Sequence, residues 1–367
     1  MGILITAAVL FVILSILILV HEFGHFITAK KFGILVEEFG IGLPPRIWGK
    51  KIGETIYSVN WLPIGGFVRL YGEDQEEGPP HKISKKLLKR AFFERPIAER
   101  IVVLVAGVSM NFLLALVLIS FLFTQGVMVP AGQVHIESVT DGSPAALADL
   151  KPKDIIKEIQ AVGSDGQPVN YTITQSDELV STVNKYLDQP ISFKIQRDTT
   201  EFEVSLKPRK DAPSGEGPTG VVISDYILKR YSVWEAPVVG LKESLSKSYL
   251  LLQGIAHLGW KVISRQSVSS DVAGPIGIAV MTNDVVKLGI LPLLEWVGLL
   301  SLNLAIVNVL PIPALDGGRL LFVLIELFTG KRVRAKWERH AHMIGMAALI
   351  SLIILISIND IIRYIIK

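Results

Sequence analysis

Long apolar runs separated by polar stretches dominate the hydrophobic pattern of this chain of 367 residues. The first run, from Ile3 to Val20, contains no charged residue. The later runs extend from about Ile101 to Phe123, from about Leu291 to Leu310 and from about Met343 to Ile366. Each has roughly the 20 residues that an α-helix needs to cross a bilayer. The pattern therefore predicts a polytopic α-helical membrane protein with about four transmembrane helices.

The loops between these runs differ in charge, and the charge predicts their orientation. The segment between the first and second runs and the segment between the third and fourth runs are both rich in Lys and Arg. In the latter, the basic residues are Lys331, Arg332, Arg334, Lys336 and Arg339. Under the positive-inside rule both segments face the cytoplasm. The N-terminus, the long segment between the second and third runs and the C-terminus are then expected outside.

One further apolar stretch, from about Trp234 to Ile263, is interrupted by polar and charged residues. These are Lys242, Lys247, Gln253, His257 and Lys261. If this stretch crossed the membrane, the basic loop after the third run would lie on the wrong side. We therefore interpret it as an amphipathic helix that lies on the outer membrane surface or packs on the protein.

The segment from Ile41 to Leu70 carries a strand pattern. Apolar and polar residues alternate there between the glycine pairs Gly40/Gly42 and Gly65/Gly66, which predicts a membrane-associated β-hairpin. The edge of such a hairpin could add an extended substrate strand, which makes Gly65 and Gly66 candidate substrate-binding residues. An ordinary amphipathic cytoplasmic loop is the alternative.

The segment from Gln133 to Lys207 is typical of a small α+β domain. Strands are predicted at 134–139, 154–159, 191–196 and 201–206, and helices near 142–146 and 177–187. The chain is thereby divided into an N-terminal membrane part (1–126), this domain (127–208), a linker with the amphipathic helix (209–290) and a C-terminal membrane part (291–367).

Composition excludes several classes of function. Half of the residues are hydrophobic and the mean hydropathy is +0.46, which suits a membrane protein. The net charge is +3, so we expect no nucleic acid partner. The chain contains no cysteine, which excludes disulfides, thiol catalysis and cysteine-ligated zinc. Any metal ion must therefore be bound by His, Asp or Glu.

The sequence His21-Glu22-Phe23-Gly24-His25 lies at the end of the first apolar run. Residues four apart share one face of a helix, so His21 and His25 can bind one metal ion together. Glu22 lies next to that face and can act as general base on a metal-bound water. Ionisable groups at membrane depth are costly, so they need partners or a function. The alternative is a pair of helix-end histidines beside a solvated glutamate.

A second group of candidate residues follows the third apolar run, in the sequence Asn308-Val-Leu-Pro311-Ile-Pro-Ala-Leu-Asp316-Gly-Gly. Its prolines and glycines cannot continue a regular helix, and broken backbone at membrane depth is tolerated where it lines a cavity. Asp316 and His25 lie toward the cytoplasmic ends of their spans, so Asp316 can be a third ligand. Three protein ligands and one position open to water are the pattern of a catalytic zinc. Taken alone, Asp316 could equally be a turn residue.

The combination of HEFGH in the first span with N-x-x-P-x-x-x-L-D-G-G in a later span resembles the site-2 proteases, in particular the bacterial regulator of sigma-E protease type. The resemblance covers nearly the whole chain, including residues 38–45, 62–67 and 274–277. Through the sequence GSPAALADLKPKDIIKEI, the external domain resembles a single PDZ domain. Within that sequence, Asp149 and Lys153 stand where members of the family often have glycine.

The resemblance implies Zn²⁺ bound by the two histidines and Asp316, with Glu22 as the catalytic acid/base. It implies that Asn308 and Pro311 border the substrate, although Asn308 could instead form a hydrogen bond between spans. The implied substrates are single-span membrane proteins, such as anti-sigma factors already trimmed by a site-1 type protease, or remnant signal peptides. The implied location is the bacterial inner membrane, with the active site toward the cytoplasm and the PDZ-like domain outside.

Two other functions are compatible with parts of the pattern. A non-enzymatic membrane adaptor would bind peptides through the PDZ-like domain and use the metal for structure, but structural zinc sites normally have four protein ligands. An ion transporter would also contain intramembrane carboxylates and a broken helix, but no inverted repeat is evident. The sequence therefore favours an intramembrane zinc endopeptidase.

Overall fold

The computed structural model describes residues 3–73, 85–163, 166–264 and 273–366. The chain forms two compact units. The helical unit comprises Met1–Thr124 and Ser232–Lys367, and the sheet unit comprises Gln125–Tyr231.

The described residues contain ten α-helices. They are α1 (Ile3–Lys31), α2 (Lys85–Leu88), α3 (Ile97–Gln125), α4 (Pro144–Leu147), α5 (Ser176–Lys185), α6 (Ala236–Ile263), α7 (Pro275–Leu288), α8 (Ile290–Val309), α9 (Asp316–Thr329) and α10 (Ala335–Ile361). A short 3₁₀-helix (Phe92–Glu94) precedes α3, and a π-helical turn (Ile362–Ile366) continues α10. Helices α4 and α5 belong to the sheet unit.

Among the described residues, four helices are long and apolar enough to cross a membrane. They are Ile5–Lys31 in α1, Ile97–Gln125 in α3, Ile290–Val309 in α8 and Ala335–Tyr364 in α10 and the turn after it. These helices confirm the predicted spans. The first of them continues past the apolar run and includes the whole His21–His25 motif.

The stretch predicted to be amphipathic forms α6, which packs on α8. Gly240 allows α6 to approach α3 closely, because a Cβ at this position would lie 3.1 Å from the backbone of Ser120. Ser244 and Ser248, one and two turns further along, are buried on the same face of α6. The helix is therefore packed on the protein, which is one of the two predicted arrangements.

The predicted hairpin is present and consists of β1 (Val36–Ile52) and β2 (Thr55–Leu70), which pair antiparallel. β2 packs along α1. The far half of the hairpin exposes large apolar side chains, namely Ile47, Trp48, Ile52, Trp61 and Leu62. The segment thus forms paired β-strands, with several shifts of register between Val36 and Trp48, rather than a loop, while its association with the membrane stays a prediction.

The sheet unit is built on an antiparallel sheet. Its strands are β3 (Val127–Val139), β4 (Ile155–Val162), β5 (Pro168–Thr172), β6 (Ile191–Arg197), β7 (Thr200–Leu206) and β8 (Val221–Lys229). The strand order is β7-β6-β4-β3-β8, and β5 pairs with β4. Ile156, Ile159, Phe193 and Ile195 are fully or nearly fully buried in its core, together with Leu179 of α5. Burial of these side chains is the main stabilising contribution to the unit.

The sheet unit extends further than the sequence analysis predicted. From the sequence, the domain was predicted to end at residue 208 and the following residues were assigned to a linker. In the structure, β8 pairs with β3 from Val127 opposite Lys229 to Val139 opposite Val221, so the unit continues to Tyr231. The difference arises because β8 lies at the edge of the sheet that the described residues form and leaves much of its length exposed, which weakens its hydrophobic pattern.

Two positions where related sequences were expected to carry glycine adopt the backbone conformation that glycine favours. Asp149 has φ 58° and Lys153 has φ 76°, values that L-residues with side chains seldom adopt. The Asp149 carbonyl accepts a hydrogen bond from Arg197 Nη2 at 2.7 Å, and the Lys153 amide donates to the Ile136 carbonyl at 2.7 Å. The turn is therefore kept with Asp and Lys in place of glycine, and the likeness to a PDZ domain stays a prediction.

Candidate metal centre

His21 and His25 lie one turn apart on the same face of α1, as their spacing predicted. Each is 7% exposed, and their Nε2 atoms are 3.1 Å apart. The imidazole rings meet edge to face, with centroids separated by 4.8 Å. Two nitrogen ligand atoms are thus directed at one point inside the helical unit.

Asp316 lies at the same point, although it is far from the histidines in the sequence. It is the first residue of α9, and its Oδ2 lies 2.8 Å from His21 Nε2 and 3.2 Å from His25 Nε2. The ligand atoms of the three residues all lie within 4.8 Å of one another. Two imidazole nitrogens and one carboxylate oxygen are a donor set that zinc accepts. Because the three ligand atoms approach one another this closely, they could bind one metal ion together, and the arrangement fits a bound Zn²⁺.

Glycines in α1 and α3 make this arrangement possible. A Cβ at Gly107 in α3 would lie 2.7 Å from His21 Nε2 and would also collide with His25 Nε2. A Cβ at Gly24 in α1 would collide with the backbone of Ala106. The two helices therefore approach each other closely, and the space beside the imidazoles is available because Gly107 has no side chain.

His21, His25 and Asp316 are called the donor cluster below. The side of His25 that faces away from this cluster contacts α3. Its Nδ1–H donates to the carbonyl of Val103, with a distance of 2.8 Å between Nδ1 and the oxygen. This bond leaves the lone pair on Nε2, which is the nitrogen that faces Asp316. On the other histidine, Nδ1 of His21 lies 3.5 Å from the side-chain amide of Asn111. Neither the Val103 carbonyl nor Asn111 was predicted from the sequence as a partner of these histidines.

Glu22 lies beside the donor cluster and faces the hairpin. Its Oε2 accepts a hydrogen bond from the amide of Val68 in β2, at 3.0 Å. The half-buried carboxylate is therefore held by the backbone of β2 and lies next to the metal-facing histidines. Glu22 does not belong to the group of three residues whose ligand atoms lie within 4.8 Å of one another.

The predicted substrate-binding glycines bring β2 to α1. Gly65 has φ +73°, and a Cβ there would lie 2.9 Å from Ile18 Cδ1. A Cβ at Gly66 would lie 2.8 Å from Leu19 Cδ2. Gly65 and Gly66 thus allow β2 to pack against the turn of α1 that precedes His21, and this packing places the Val68 amide near Glu22.

The other predicted substrate residues, Asn308 and Pro311, precede Asp316 along the chain. Asn308 is half-buried in the last turn of α8, and Pro311 is exposed in the loop between α8 and α9. The two glycines after Asp316 allow the first turn of α9 to pack against this loop. A Cβ at Gly317 would lie 2.5 Å from the carbonyl carbon of Val309, and one at Gly318 would lie 2.8 Å from Pro313 Cα.

Ion pairs hold α9 in place. Arg319, three residues after Asp316, pairs with Glu73 just beyond the end of β2. Further along α9, Glu326 accepts two hydrogen bonds from the guanidinium of Arg100 in α3, at 2.7 and 2.9 Å. Such a two-pronged Arg–carboxylate pair restricts orientation as well as distance. The helix that begins with Asp316 is thereby connected to both the hairpin and α3.

The site consists of two buried histidines and a glutamate from one apolar helix and an aspartate from a second helix. This combination is typical of a membrane-bound metallohydrolase. The model of peptidase family M50 matches residues 9–352, and the chain belongs to this family. This confirms the resemblance to site-2 proteases.

Relatives that carry curated names agree with the family assignment. A putative zinc metalloprotease of Clostridium perfringens is 33% identical over 353 residues, covering 95% of this chain and 96% of the relative. The zinc metalloprotease RasP of Geobacillus kaustophilus is 30% identical over 427 residues, covering 96% and 97% of the two chains. The regulator of sigma-W protease RasP of Bacillus subtilis is 28% identical over 431 residues, covering 98% of each. The chain is therefore a zinc metalloprotease, and its cofactor is Zn²⁺.

Proposed function

We propose that this protein is an intramembrane endopeptidase that cleaves the transmembrane segments of single-span proteins or remnant signal peptides. Such substrates include anti-sigma factors that a site-1 type protease has already trimmed. The observation that carries the proposal is the convergence of His21, His25 and Asp316 beside Glu22, with both histidines on a helix that can span the membrane. One relative is named a regulator of sigma-W protease, which supports a role in regulated intramembrane proteolysis.

In this proposal His21 Nε2, His25 Nε2 and an oxygen of Asp316 would hold the zinc ion. When bound, zinc supplies Lewis-acid polarisation of the scissile carbonyl and lowers the pKa of a water molecule toward neutrality. Glu22 accepts the proton of the attacking water and then donates it to the leaving amine. The Val103 carbonyl keeps His25 in the tautomer that offers Nε2. The Val68 amide holds the Glu22 carboxylate beside the reacting atoms.

The substrate must be locally unwound before it can be cut, because a helix conceals its peptide bonds in internal hydrogen bonds. Unpaired amides cost several kcal/mol in hydrocarbon, so the enzyme has to offer replacement partners. The hairpin supports such a role, since β2 packs along α1 beside Glu22. We propose that residues around Gly65 and Gly66 pair with the extended substrate and that Asn308 and Pro311 border it.

The donor set argues against a purely structural metal site. The cluster that the described part of the chain presents consists of three ligand residues, whereas structural zinc sites usually have four. Three protein ligands leave one position for the reacting groups. A catalytic site is therefore the better account of the geometry.

Cleavage of a purified single-span substrate in detergent or liposomes tests the proposal. We expect turnover by the wild-type protein, loss of turnover after zinc chelation and recovery after zinc is restored. We expect Asp316→Asn to reduce zinc content and turnover in parallel, because a neutral amide is a much poorer zinc ligand than a carboxylate. Full zinc content with normal turnover in this variant would remove Asp316 from the site.

We further propose that the protein lies in the bacterial inner membrane, with the basic loops in the cytoplasm and the sheet unit outside. The absence of cysteine allows single introduced cysteines to report the orientation. Leu147 in the sheet unit is 84% exposed, and Lys331 between α9 and α10 is also exposed. We expect Leu147→Cys to react with a membrane-impermeant thiol reagent in spheroplasts and Lys331→Cys to react only after permeabilisation. The opposite pattern would invert the orientation.

A further inference from the structure

The residue two positions before Asp316 has an unusual backbone conformation. Ala314 has φ 86°, a region that residues with a Cβ seldom adopt and that costs free energy to maintain. Its neighbours make tight local turns, since the Ile312 amide donates to the Leu310 carbonyl at 2.7 Å and the Leu315 amide donates to the Ile312 carbonyl at 3.1 Å. The loop that presents Asp316 is therefore strained, and other contacts must hold it in this shape.

A histidine in α10 provides such a contact. The Ala314 amide donates a hydrogen bond to Nδ1 of His342, with a distance of 2.8 Å between the two nitrogens. The ring of His342 also lies against Phe322 in α9, with centroids 5.8 Å apart. His342 thus contacts both the strained loop and the helix that begins with Asp316.

A glycine one turn further along α10 allows this contact. A Cβ at Gly345 would lie 2.6 Å from the carbonyl carbon of Pro313 and 2.8 Å from Pro313 Cβ. His342 and Gly345 are three residues apart, so they share one face of α10. That face lies directly against Pro313 and Ala314, and α10 could not approach the loop as closely with a larger residue at position 345.

We infer that His342 and Gly345 form a positioning site for Asp316, in which α10 fixes the strained loop so that the carboxylate meets the two histidines. Neither residue belongs to the donor cluster, so they act through the loop rather than on substrate or metal. The inference rests on the proposed role of Asp316 as a zinc ligand. Groups that bond directly to a metal ligand commonly change metal affinity by about 10- to 100-fold when they are replaced, and we expect His342, which acts through the loop, to lie at the lower end of that range.

Two substitutions at His342 separate the hydrogen bond from the volume of the ring. His342→Phe keeps an aromatic ring of similar size and removes the acceptor, whereas His342→Asn keeps an acceptor at the same distance along the side chain. In the full-length protein in detergent, we expect zinc affinity, measured against a chromophoric chelator, to fall about tenfold in His342→Phe. We expect His342→Asn to recover most of that loss. His340→Phe is the matched control, because His340 is exposed on the same helix and bonds to the carbonyl of Lys336 in its own helix.

Relief of the strain provides a second and independent test. Glycine adopts positive φ without cost, so Ala314→Gly should lessen the dependence on His342. We expect Ala314→Gly combined with His342→Phe to bind zinc more tightly than His342→Phe alone. The Co²⁺-substituted protein should show altered visible absorption bands in His342→Phe and near-normal bands in the double variant. A role in overall stability alone would leave the bands of folded protein unchanged.

Gly345→Ala tests the same face of α10 without a change at His342. We expect it to weaken zinc binding, whereas Gly254→Ala in α6 should not, because no atom lies within 4 Å of a Cβ at Gly254. Wild-type zinc affinity and cobalt spectra in both His342→Phe and Gly345→Ala would overturn the inference. We expect His25→Ala to lose zinc whether or not His342 and Gly345 position the loop. Retention of zinc in that variant would contradict the proposed ligand set itself, and a failure of the proposed function is thereby distinguished from a failure of the positioning role.

Discussion

Glu22→Gln is expected to abolish detectable cleavage while the protein stays folded and binds a full complement of zinc. General acid–base groups commonly contribute about 10² to 10⁴-fold to a rate, and Glu22 is proposed to serve both proton transfers. Glutamine has the same shape and its side-chain oxygen can still accept the hydrogen bond from the Val68 amide. The substitution therefore removes the proton acceptor with little change in local geometry.

Zinc content and turnover should be measured on the same preparation of Glu22→Gln. His21→Ala is the comparison, because it removes a proposed ligand and should lose both properties together. If Glu22→Gln loses as much zinc as His21→Ala does, Glu22 would be a ligand rather than a proton acceptor. If Glu22→Gln cleaves substrate at the wild-type rate, another group must transfer the protons.

Local sequence patterns were sufficient to predict the four apolar helices, α6 and the hairpin of the helical unit, but they did not predict α7 or α9. A helix places residues four apart on one face, so the positions of His21 and His25 follow from a single span. The apolar runs likewise predicted the helices that can cross a membrane, because length and composition decide that property. The alternation between Gly40 and Gly66 predicted the hairpin, although β1 begins earlier, at Val36.

The contacts that complete the site could be predicted only in part. Asp316 was identified because its motif was predicted to lie at the cytoplasmic end of a span, at a depth similar to that of His25. The partners of His25 and Glu22 are the carbonyl of Val103 and the amide of Val68. Backbone atoms are common to all residues, so no side-chain pattern marks these two contacts. They depend on how α3 and β2 pack on α1, which a single sequence does not specify.

In the sheet unit, the strength of each pattern determined what could be predicted. β6 and β7 alternate regularly and place Phe193 and Ile195 in the core, so their hairpin was predicted within a residue or two. β5 has only five residues, which is too short for a clear pattern. β8 buries little of its length, and its place in the sheet depends on pairing with β3 rather than on its own sequence.

Glycines near the donor cluster matter because they leave space for the side chains packed against them, an effect that helix propensity does not describe. Gly107 lies in the middle of α3, where glycine is less favourable than alanine by about 1 kcal/mol. Considered as helix propensity alone, Gly107→Ala should therefore stabilise the protein. The structure predicts the opposite effect on the site, since a Cβ at this position would lie 2.7 Å from Nε2 and 2.8 Å from Cε1 of His21.

Gly107→Ala is accordingly expected to lower zinc affinity by at least about tenfold and turnover by more, because the added methyl group displaces the imidazoles from their common point. Gly298→Ala in α8 is the matched control, since the nearest atom to a Cβ there is Ile119 Cγ1 at 3.6 Å, an ordinary packing distance. Zinc content, turnover and thermal unfolding should be measured for both variants. We expect Gly298→Ala to match the wild type in zinc content and turnover. If Gly107→Ala also keeps full zinc affinity and turnover, α1 and α3 can separate at little cost, and close packing of α3 is not what holds the two histidines together.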